Sequence, residues 1–236
     1  DVCSADFDGD GVNDLAVAGA RPIALTLSLI IEDGFELRSL EAILASIGKT
    51  ARQSNVNIVT GDTKTVEAGA VDKIFINTTR IGTVYSNADI DPVNCKPGQK
   101  VLINGSIADH GISIISTREG LEFETEIKSD TAPLNHLVKK IFETTSKVSV
   151  MRDPTRGGLA SALNEIAGVS GCGITVYEDN LLIKNEVKGV CEIFGFDPLY
   201  VANEGKILVF VDEEDAEKTL EIMQSCEFGE NSEIIG

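Results

Sequence analysis

Tryptophan is absent from this 236-residue sequence, and aromatic residues make up only 5% of it. The hydrophobic core must therefore be mainly aliphatic. Basic residues are also few, because 20 Lys and Arg stand against 38 Asp and Glu, which gives a net charge of −18 at pH 7. This balance argues against general binding to nucleic acid or to anionic membranes. No apolar run reaches the roughly 18 residues of a membrane-spanning helix.

The cysteines lack the spacing of a structural metal site or of a disulfide framework. No Cys-x-x-Cys pair occurs, and the number of cysteines is odd. Zinc ribbons and small secreted domains have the opposite pattern. We therefore expect reduced thiols and a cytoplasmic protein. The five residues are Cys3, Cys95, Cys172, Cys191 and Cys226.

A Walker phosphate loop is missing as well, but another glycine turn is present. Residues 151–158 read Met-Arg-Asp-Pro-Thr-Arg-Gly-Gly, between an apolar run and a stretch with helical periodicity. Backbone N–H groups at the start of such a helix attract anions. With Asp153 and Arg156 beside Gly157 and Gly158, the turn predicts an anion site.

Alternating strand-like and helix-like stretches indicate an α/β protein. We predict two domains, residues 1–92 and 93–236, with a hinge in the segment 85–100, which is rich in Asn, Asp and Pro. The strand at 57–62 is expected to be buried. Predicted strands cover 23–31, 57–62, 73–78, 101–105, 148–151, 173–177 and 206–211, and predicted helices cover 15–20, 37–54, 112–115, 132–143, 159–167, 185–194 and 213–225.

Polar clusters interrupt or end several of the apolar strands. Carboxylates such as Asp14 and Asp62 suit a magnesium ion that takes its other oxygens from phosphate and water. Lys64 offers a phosphate partner or a proton carrier, and Glu204 offers a base. Each cluster also has a structural reading: Asn13 and Asp14 suit a helix cap, Asp62 a turn, Glu204 a solvated strand entry. His110 alone reads as a hydrogen-bonded loop residue.

The extreme N-terminus holds a second candidate function. Asp6, Asp8, Asp10 and Asp14 recur at spacings of two, two and four, with Gly11 at the turn position of a calcium loop. The last ligand position of such a loop is Val17 instead of Glu, and no helix precedes it. A calcium-binding interaction module therefore stands as an alternative.

Six short motifs carry a family resemblance. They are Asn13-Asp14-Leu15-Ala16-Val17, Gly61-Asp62-Thr63-Lys64, Phe75-Ile76-Asn77-Thr78, Asp109-His110-Gly111, the turn at 151–158 and Ala202-Asn203-Glu204-Gly205-Lys206. In order and spacing the chain resembles the HypE family of hydrogenase maturation proteins. That family belongs to the aminoimidazole ribonucleotide synthetase (PurM)-like superfamily of ATP-using enzymes. The resemblance covers residues 12–236.

The resemblance implies a two-domain PurM-like fold in which the N-terminal sheets of two copies pair in a homodimer. It also implies a cytoplasmic ATP-dependent carbamoyl dehydratase that uses Mg²⁺. Such a protein receives a carbamoyl group from HypF on its terminal cysteine and dehydrates the thiocarboxamide to a thiocyanate. The cyanide then passes to iron on the HypC–HypD complex. A different ATP-dependent synthetase of the superfamily stands as a further alternative.

Carried over residue by residue, the resemblance implies that Lys64, Glu204 and His110 are catalytic, with Lys64 and Glu204 in proton transfer. It implies Asp14 and Asp62 as magnesium ligands. The implied nucleotide site includes some of these residues again. The implied cofactor-binding residues are Asn13, Asp14, Asp62, Thr63, Lys64, Asp153, Arg156, Gly157 and Gly158.

The chain departs from the family pattern at both ends. HypE-like chains carry a further N-terminal segment and close in Pro-Arg-Ile-Cys, whose cysteine accepts the carbamoyl group. We therefore expect terminal segments of the family to be missing here. Cys226 is followed by Glu-Phe-Gly, so the acceptor role is not transferred to it.

Overall fold

The computed structural model describes residues 10–120 and 127–236, with side chains described from residue 13 onward. Two sheets form in this part of the chain, one of three strands and one of four. Each falls within one of the two predicted domains, whose boundary after residue 92 stays a prediction. The fold is the mixed, α+β form of the predicted class, because most strand pairs are antiparallel.

The elements alternate much as predicted. The first sheet comprises β1 (Ala20–Glu32), β2 (Asn57–Val66) and β3 (Ile74–Val84), with helices α1 (Asp10–Val17) and α2 (Leu37–Gln53). The second comprises β4 (Lys100–Ile103), β5 (Val148–Arg152), β6 (Leu208–Val211) and β7 (Glu233–Ile234). Its helices are α3 (Asp109–Arg118), α4 (Asn135–Thr144), α5 (Gly158–Ser170), α6 (Asn185–Phe194) and α7 (Glu213–Gln224).

The first sheet has one covered face and one open face. β1 lies in the middle, parallel to β2 and antiparallel to β3. Leu25 and Leu29 of β1 are buried on the covered face, and the alternate positions on the other face leave apolar side chains in solvent. Phe75 is 52% exposed and Ile81 is 61% exposed. The open face is therefore an apolar surface of the isolated chain.

The prediction of a buried strand at 57–62 is wrong. All of β2 except Val66 is exposed, because β2 is an edge strand with β1 as its neighbour in a sheet that is open on one side. β2 also continues to Val66, so Asp62 lies in the middle of a strand and not at its end. The apolar residues at the start of this strand indicated burial on both faces of the sheet, but an edge strand of a sheet that is open on one side is not buried in this way.

The second sheet is covered on both faces. Leu102, Val209 and Val211 pack with α4 and α7, whereas Ile103 and Phe210 pack with α5. Successive residues of one strand thus enter two different core clusters, and every residue of β6 is buried. Two-sided burial explains why β6 is apolar throughout and why β4 and β5 are mainly apolar. The sheet order is β5-β6-β4-β7.

Three predictions for this domain differ from the structure. Residues 173–177 are extended but form no strand; the Tyr177 N–H donates to the Ile235 carbonyl at 2.7 Å. β7 was not predicted, since two residues carry no periodicity. His110, which reads from the sequence as a loop residue, lies in the first turn of α3, so this helix begins before the predicted residue 112. Local patterns fail at these points because tertiary pairing decides the structure.

Directed hydrogen bonds join the two domains. The Asn135 amide donates to the Ser54 carbonyl at 2.9 Å, and His136 Nε2 lies 2.8 Å from the Gln53 carbonyl. Tyr85, at the start of the predicted hinge, stacks on Phe142 with ring centroids 5.1 Å apart, and burial raises the pKa of its hydroxyl. The first residue of the predicted hinge segment, Tyr85, therefore packs against the second domain.

No helix in the two described ranges is long and apolar enough to span a membrane.

Candidate active site

Loops of the second domain meet around the side chain of Asn203. This side chain is fully buried. Its Nδ2 donates to the Pro154 carbonyl at 2.9 Å, and its Oδ1 accepts the Ala108 N–H at 2.7 Å. Asn203 thus fastens the turn after β5 to the start of α3. The glycine turn and His110 are brought to the same region by this one amide.

Asp130 fixes the backbone that carries Glu204. Its Oδ1 accepts the Glu204 N–H at 3.1 Å, and its Oδ2 lies 3.3 Å from Lys206 Nζ. The second contact is an ion pair without hydrogen-bond alignment. A Cβ on Gly205 would lie 1.9 Å from the Asp130 carbonyl, so this approach requires glycine. The backbone of the Glu204 loop is therefore held in place by contacts that do not involve the Glu204 side chain.

The catalytic candidates Glu204 and His110 face each other. His110 Nε2 lies 3.9 Å from Glu204 Oε1, which is within ion-pair range but too long for a hydrogen bond. The other ring nitrogen, Nδ1, lies 2.9 Å from Ser129 Oγ. The side chains of His110 and Glu204 are only 11% and 23% exposed. Together they form a sheltered pair of groups that can exchange a proton after a small movement of either side chain.

Asp109, next to His110, has a structural role. Ser106 Oγ donates to its Oδ2 at 2.6 Å, and Lys184 Nζ lies 2.7 Å from the same oxygen. The carboxylate is almost completely buried. These contacts hold the first turn of α3, which carries His110.

The first domain reaches the site through α1. Asn13 is buried, its Nδ2 donates to the Ala132 carbonyl at 3.0 Å, and its Oδ1 accepts the Leu134 N–H at 2.8 Å. Both ends of the amide are thus used to attach α1 to the segment that also carries Asp130. The neighbouring Asp14 forms an ion pair with Arg80 on β3. A nucleotide role for Asn13 stays a prediction.

Asp14 and Asp62 lie on opposite sides of the first sheet. Arg80, the partner of Asp14, pairs with Leu25 and belongs to the covered face. Asp62 pairs with Ser28, three residues further along β1, which places it on the open face. Lys64 follows Asp62 by two residues and shares the open face, while Thr63 between them donates its N–H to Asp62 Oδ1 at 2.8 Å.

The described residues bring no three His, Cys, Asp or Glu side chains together in a metal-binding group. A magnesium ion suits such a protein only if phosphate and water supply most of its ligands, which is its usual preference. The calcium hypothesis fits poorly, because Asp10 and Asp14 lie in a helix and Asp14 is paired with Arg80. Asp6 and Asp8 lie outside the described residues.

The backbone conformation of the glycine turn depends on close packing against the segment that contains Leu199. Gly157 and Gly158 have φ of 76° and 64°, in the left-handed region, and α5 begins at Gly158. A Cβ on Gly158 would lie 2.5 Å from the Leu199 carbonyl. Arg156 of the turn is exposed, and Asp153 is partly buried beside the anchored Pro154. The turn therefore carries the charged side chains of Asp153 and Arg156 at its surface, above the packed residues Pro154 and Gly158. These two charged residues form the rim of the glycine turn.

Comparisons with known proteins decide the family. The model of the AIR synthase related protein C-terminal domain matches residues 96–236, and that of the N-terminal domain matches residues 9–84. A hydrogenase expression/formation protein of Methanocaldococcus jannaschii is 49% identical over 225 residues, which is 95% of this chain and 67% of that protein. This chain belongs to the HypE family.

Other HypE proteins agree in sequence and in structure. The carbamoyl dehydratase HypE of Cupriavidus necator is 45% identical over 95% of this chain and 64% of its own length. A HypE crystal structure in complex with ATP has a TM-score of 0.94 at 44% identity, covering 98% of this chain and 69% of that one. A HypE–HypF complex has a TM-score of 0.95 at 49% identity, covering 99% and 76%. The predicted HypE family and PurM-like fold are confirmed, and the chain spans about two thirds of the curated HypE relatives.

Sequence reasoning missed the contacts that build the base of this candidate site. Asp130 and Lys206 form a nearly buried ion pair, and Asn104 donates its amide to the carbonyls of Gly205 and Phe228. Asn104 Oδ1 also accepts the Ile207 N–H at 2.7 Å. A signal was available for the asparagines, since each stands beside an apolar strand, where a buried amide needs hydrogen-bond partners. No signal linked Asp130 to Lys206.

Proposed function

We propose that the complete protein dehydrates a carbamoylated cysteine to a thiocyanate with ATP, as a step in making the cyanide ligand of NiFe hydrogenase. The observation that carries the proposal is the Glu204–His110 pair, 3.9 Å apart in a sheltered position. The identity of 45% between this chain and a protein named carbamoyl dehydratase supports the same reaction. An acid–base pair of this kind is what removal of amide protons requires.

The reaction turns S–C(=O)–NH₂ into S–C≡N and consumes ATP to ADP and phosphate. ATP supplies the phosphoryl group that makes the amide oxygen a leaving group. Both protons of the amide nitrogen must then be taken away. Glu204 accepts the first, because its carboxylate stands on a loop that Asp130 holds in place. His110 takes this proton on from Glu204 through Nε2, with Nδ1 oriented by Ser129, so that Glu204 can accept the second proton.

The nucleotide is proposed to lie between α1 and the rim of the glycine turn. Asp153, Arg156, Gly157 and Gly158 contribute the start of α5, where backbone N–H groups and a cation suit phosphate. Asn13 holds α1 against the second domain, and the neighbouring Asp14 is proposed to face the nucleotide. Asp14 would supply an oxygen ligand to a magnesium ion, for which its ion pair with Arg80 would have to open.

A homodimer is proposed to complete the site. Asp62, Thr63 and Lys64 are on β2, and the register puts Asp62 and Lys64 on the face away from Asp14. One chain therefore cannot easily direct Asp14 and Asp62 at one magnesium ion. Pairing of two open faces would cover the exposed apolar side chains and place Asp62 and Lys64 at the interface between the copies, from where they are proposed to reach around the sheet edge to the partner's nucleotide. Lys64 would then provide charge or a proton there.

Replacing Ile81 by Asp is expected to convert the dimer to a monomer. Ile81 is 61% exposed on the open face, and a carboxylate buried between two sheets would be strongly unfavourable. Light scattering on the purified protein measures the change. Ile193→Asp is the matched control, because Ile193 is 74% exposed on α6 in the other domain. A dimer that tolerates Ile81→Asp as well as Ile193→Asp would contradict the proposed interface.

HypF is proposed as the carbamoyl donor, and the HypC–HypD complex as the acceptor of the cyanide. A HypE–HypF complex is known for a chain that is 49% identical to this one, which supports the first assignment. The proposed transfers take place between soluble proteins of the cytoplasm. Carbamoylation by HypF also separates this function from that of another ATP-dependent synthetase, which HypF should leave unmodified.

The complete protein, carbamoylated by HypF, is expected to lose the mass of one water when ATP and Mg²⁺ are added. Intact-protein mass spectrometry follows the loss, and the same sample without ATP is the control. The loss should be stoichiometric with ADP formed, because one phosphoryl transfer activates one amide oxygen. ATP hydrolysis without loss of water from the protein would contradict the assigned reaction.

A further inference from the structure

Two cysteines that are distant in sequence meet at the edge of the second domain. Cys172 Sγ donates to the Cys95 carbonyl at 3.3 Å, and both residues pack in the same hydrophobic cluster. Cys95 follows the 3-10 turn Pro92–Asn94, where the chain enters the domain. Cys172 follows Gly171, which ends α5. The pair therefore joins the entry segment to the far end of the helix that begins at the glycine turn.

The surroundings give the two thiols different properties. Cys95 is buried, only 7% exposed, whereas Cys172 is partly exposed. Burial raises the pKa of Cys95, and the neighbouring Cys172 raises it further. Ser170 opposes this with a hydrogen bond to the Cys95 thiol, and its Oγ also accepts the Cys172 N–H at 3.2 Å. Cys172 is thus the thiol that is accessible to a reagent in solution, and Cys95 is the buried neighbouring thiol that can react with it afterwards.

We propose that Cys95 and Cys172 form a dithiol site that small-molecule disulfides oxidise to an intramolecular disulfide. The Cys172 thiolate attacks one sulfur of the reagent, forms a mixed disulfide and releases one reduced thiol. The Cys95 thiolate then attacks Cys172 Sγ, closes the protein disulfide and expels the second reduced thiol. Two protein thiols are oxidised, and one reagent disulfide is reduced to two thiols.

The position of the site gives the oxidation a structural effect. A closed bond would fasten α5 to the entry segment of the domain, across 77 positions of sequence. Cross-links that close long loops restrict the unfolded chain most. The oxidised protein is therefore expected to unfold at a higher temperature than the reduced protein, by roughly 5 °C or more.

Oxidised glutathione is the probe, applied to the complete, reduced protein. We expect a product two hydrogens lighter, in which peptide mapping joins the peptides of Cys95 and Cys172. The Cys95→Ser variant should stop at a glutathione adduct on Cys172. The Cys172→Ser variant should react at Cys95 at least about tenfold more slowly than the native protein reacts at Cys172, since the remaining thiol is buried. Closure should accelerate roughly tenfold per pH unit below the pKa of Cys95.

Cys226→Ser is the control, because Cys226 follows α7 and packs on a different core cluster. It should form the Cys95–Cys172 bond at the native rate. Three results would each overturn the proposal: a glutathione adduct at Cys172 that does not close in the native protein, a disulfide that joins other cysteines, or a folded native protein whose thiols do not react. Circular dichroism before and after oxidation shows that the reaction took place on folded protein.

Discussion

Replacing Glu204 by Gln is expected to slow dehydration of the carbamoylated protein by roughly 10²- to 10⁴-fold, the usual contribution of a general base. The amide has almost the same shape but accepts no proton at neutral pH. The backbone of residue 204 stays in place, because Asp130 bonds the N–H and not the side chain. Single-turnover mass spectrometry with saturating ATP and Mg²⁺ measures the rate.

Two controls separate this loss from damage to the fold. Glu217→Gln makes the same change on the exposed side of α7 and should leave the rate unchanged. The Glu204→Gln protein should still be carbamoylated by HypF and should unfold at the native temperature. Lys64→Ala is expected to abolish dehydration as well. A Glu204→Gln rate within a few-fold of native would remove the proposed role of this carboxylate.

Replacing Asn203 by Asp is expected to lower the free energy of unfolding by about 3–5 kcal/mol, the range for an uncompensated buried charge. The side chain is fully buried, and its Nδ2 donates to two carbonyls, those of Pro154 and Val201. A carboxylate cannot donate these bonds, and it would face both carbonyl oxygens with a negative charge. The loss should appear as a lower denaturant midpoint in urea.

Asn164→Asp is the matched control. Asn164 also bonds a carbonyl through Nδ2, that of Ala160, but it is exposed on α5, where water solvates a carboxylate. Its substitution should change the free energy of unfolding by less than about 1 kcal/mol. Equal losses at Asn164 and Asn203 would mean that the buried amide does not hold the three loops together.

The sequence predicts the fold well where local periodicity and tertiary structure agree. α2 and α6 match their predicted ranges to within a residue, since each has a clear apolar stripe. β2 and β7 were misjudged for a different reason. Whether a strand is central or at an edge, and whether its faces are covered, depends on pairing with distant strands, and no local pattern contains that information.

For the candidate site the sequence predicts a set of residues, whose roles stay predictions, but not their arrangement. Motif order indicated Asp14, Asp62, Lys64 and Glu204 together. The opposite faces of Asp14 and Asp62 follow only from the register of β1 with its two neighbours. Glu204 was recognised, whereas the Asp130 that positions it is 74 residues away and has no motif of its own. Supporting residues of this kind emerge only when the chain is folded.

Because Asp14 and Lys64 lie on opposite faces of the first sheet, variants at these two positions are expected to behave differently in a genetic complementation test. If each nucleotide site combines Asp14 of one copy with Lys64 of the other, a hybrid dimer of the two single variants contains one doubly defective site and one fully native site. Two alleles that are each inactive alone would then complement each other in the same cell. Alleles altered at Asp14 and Glu204, by contrast, belong to one site within one chain and would leave every hybrid site defective.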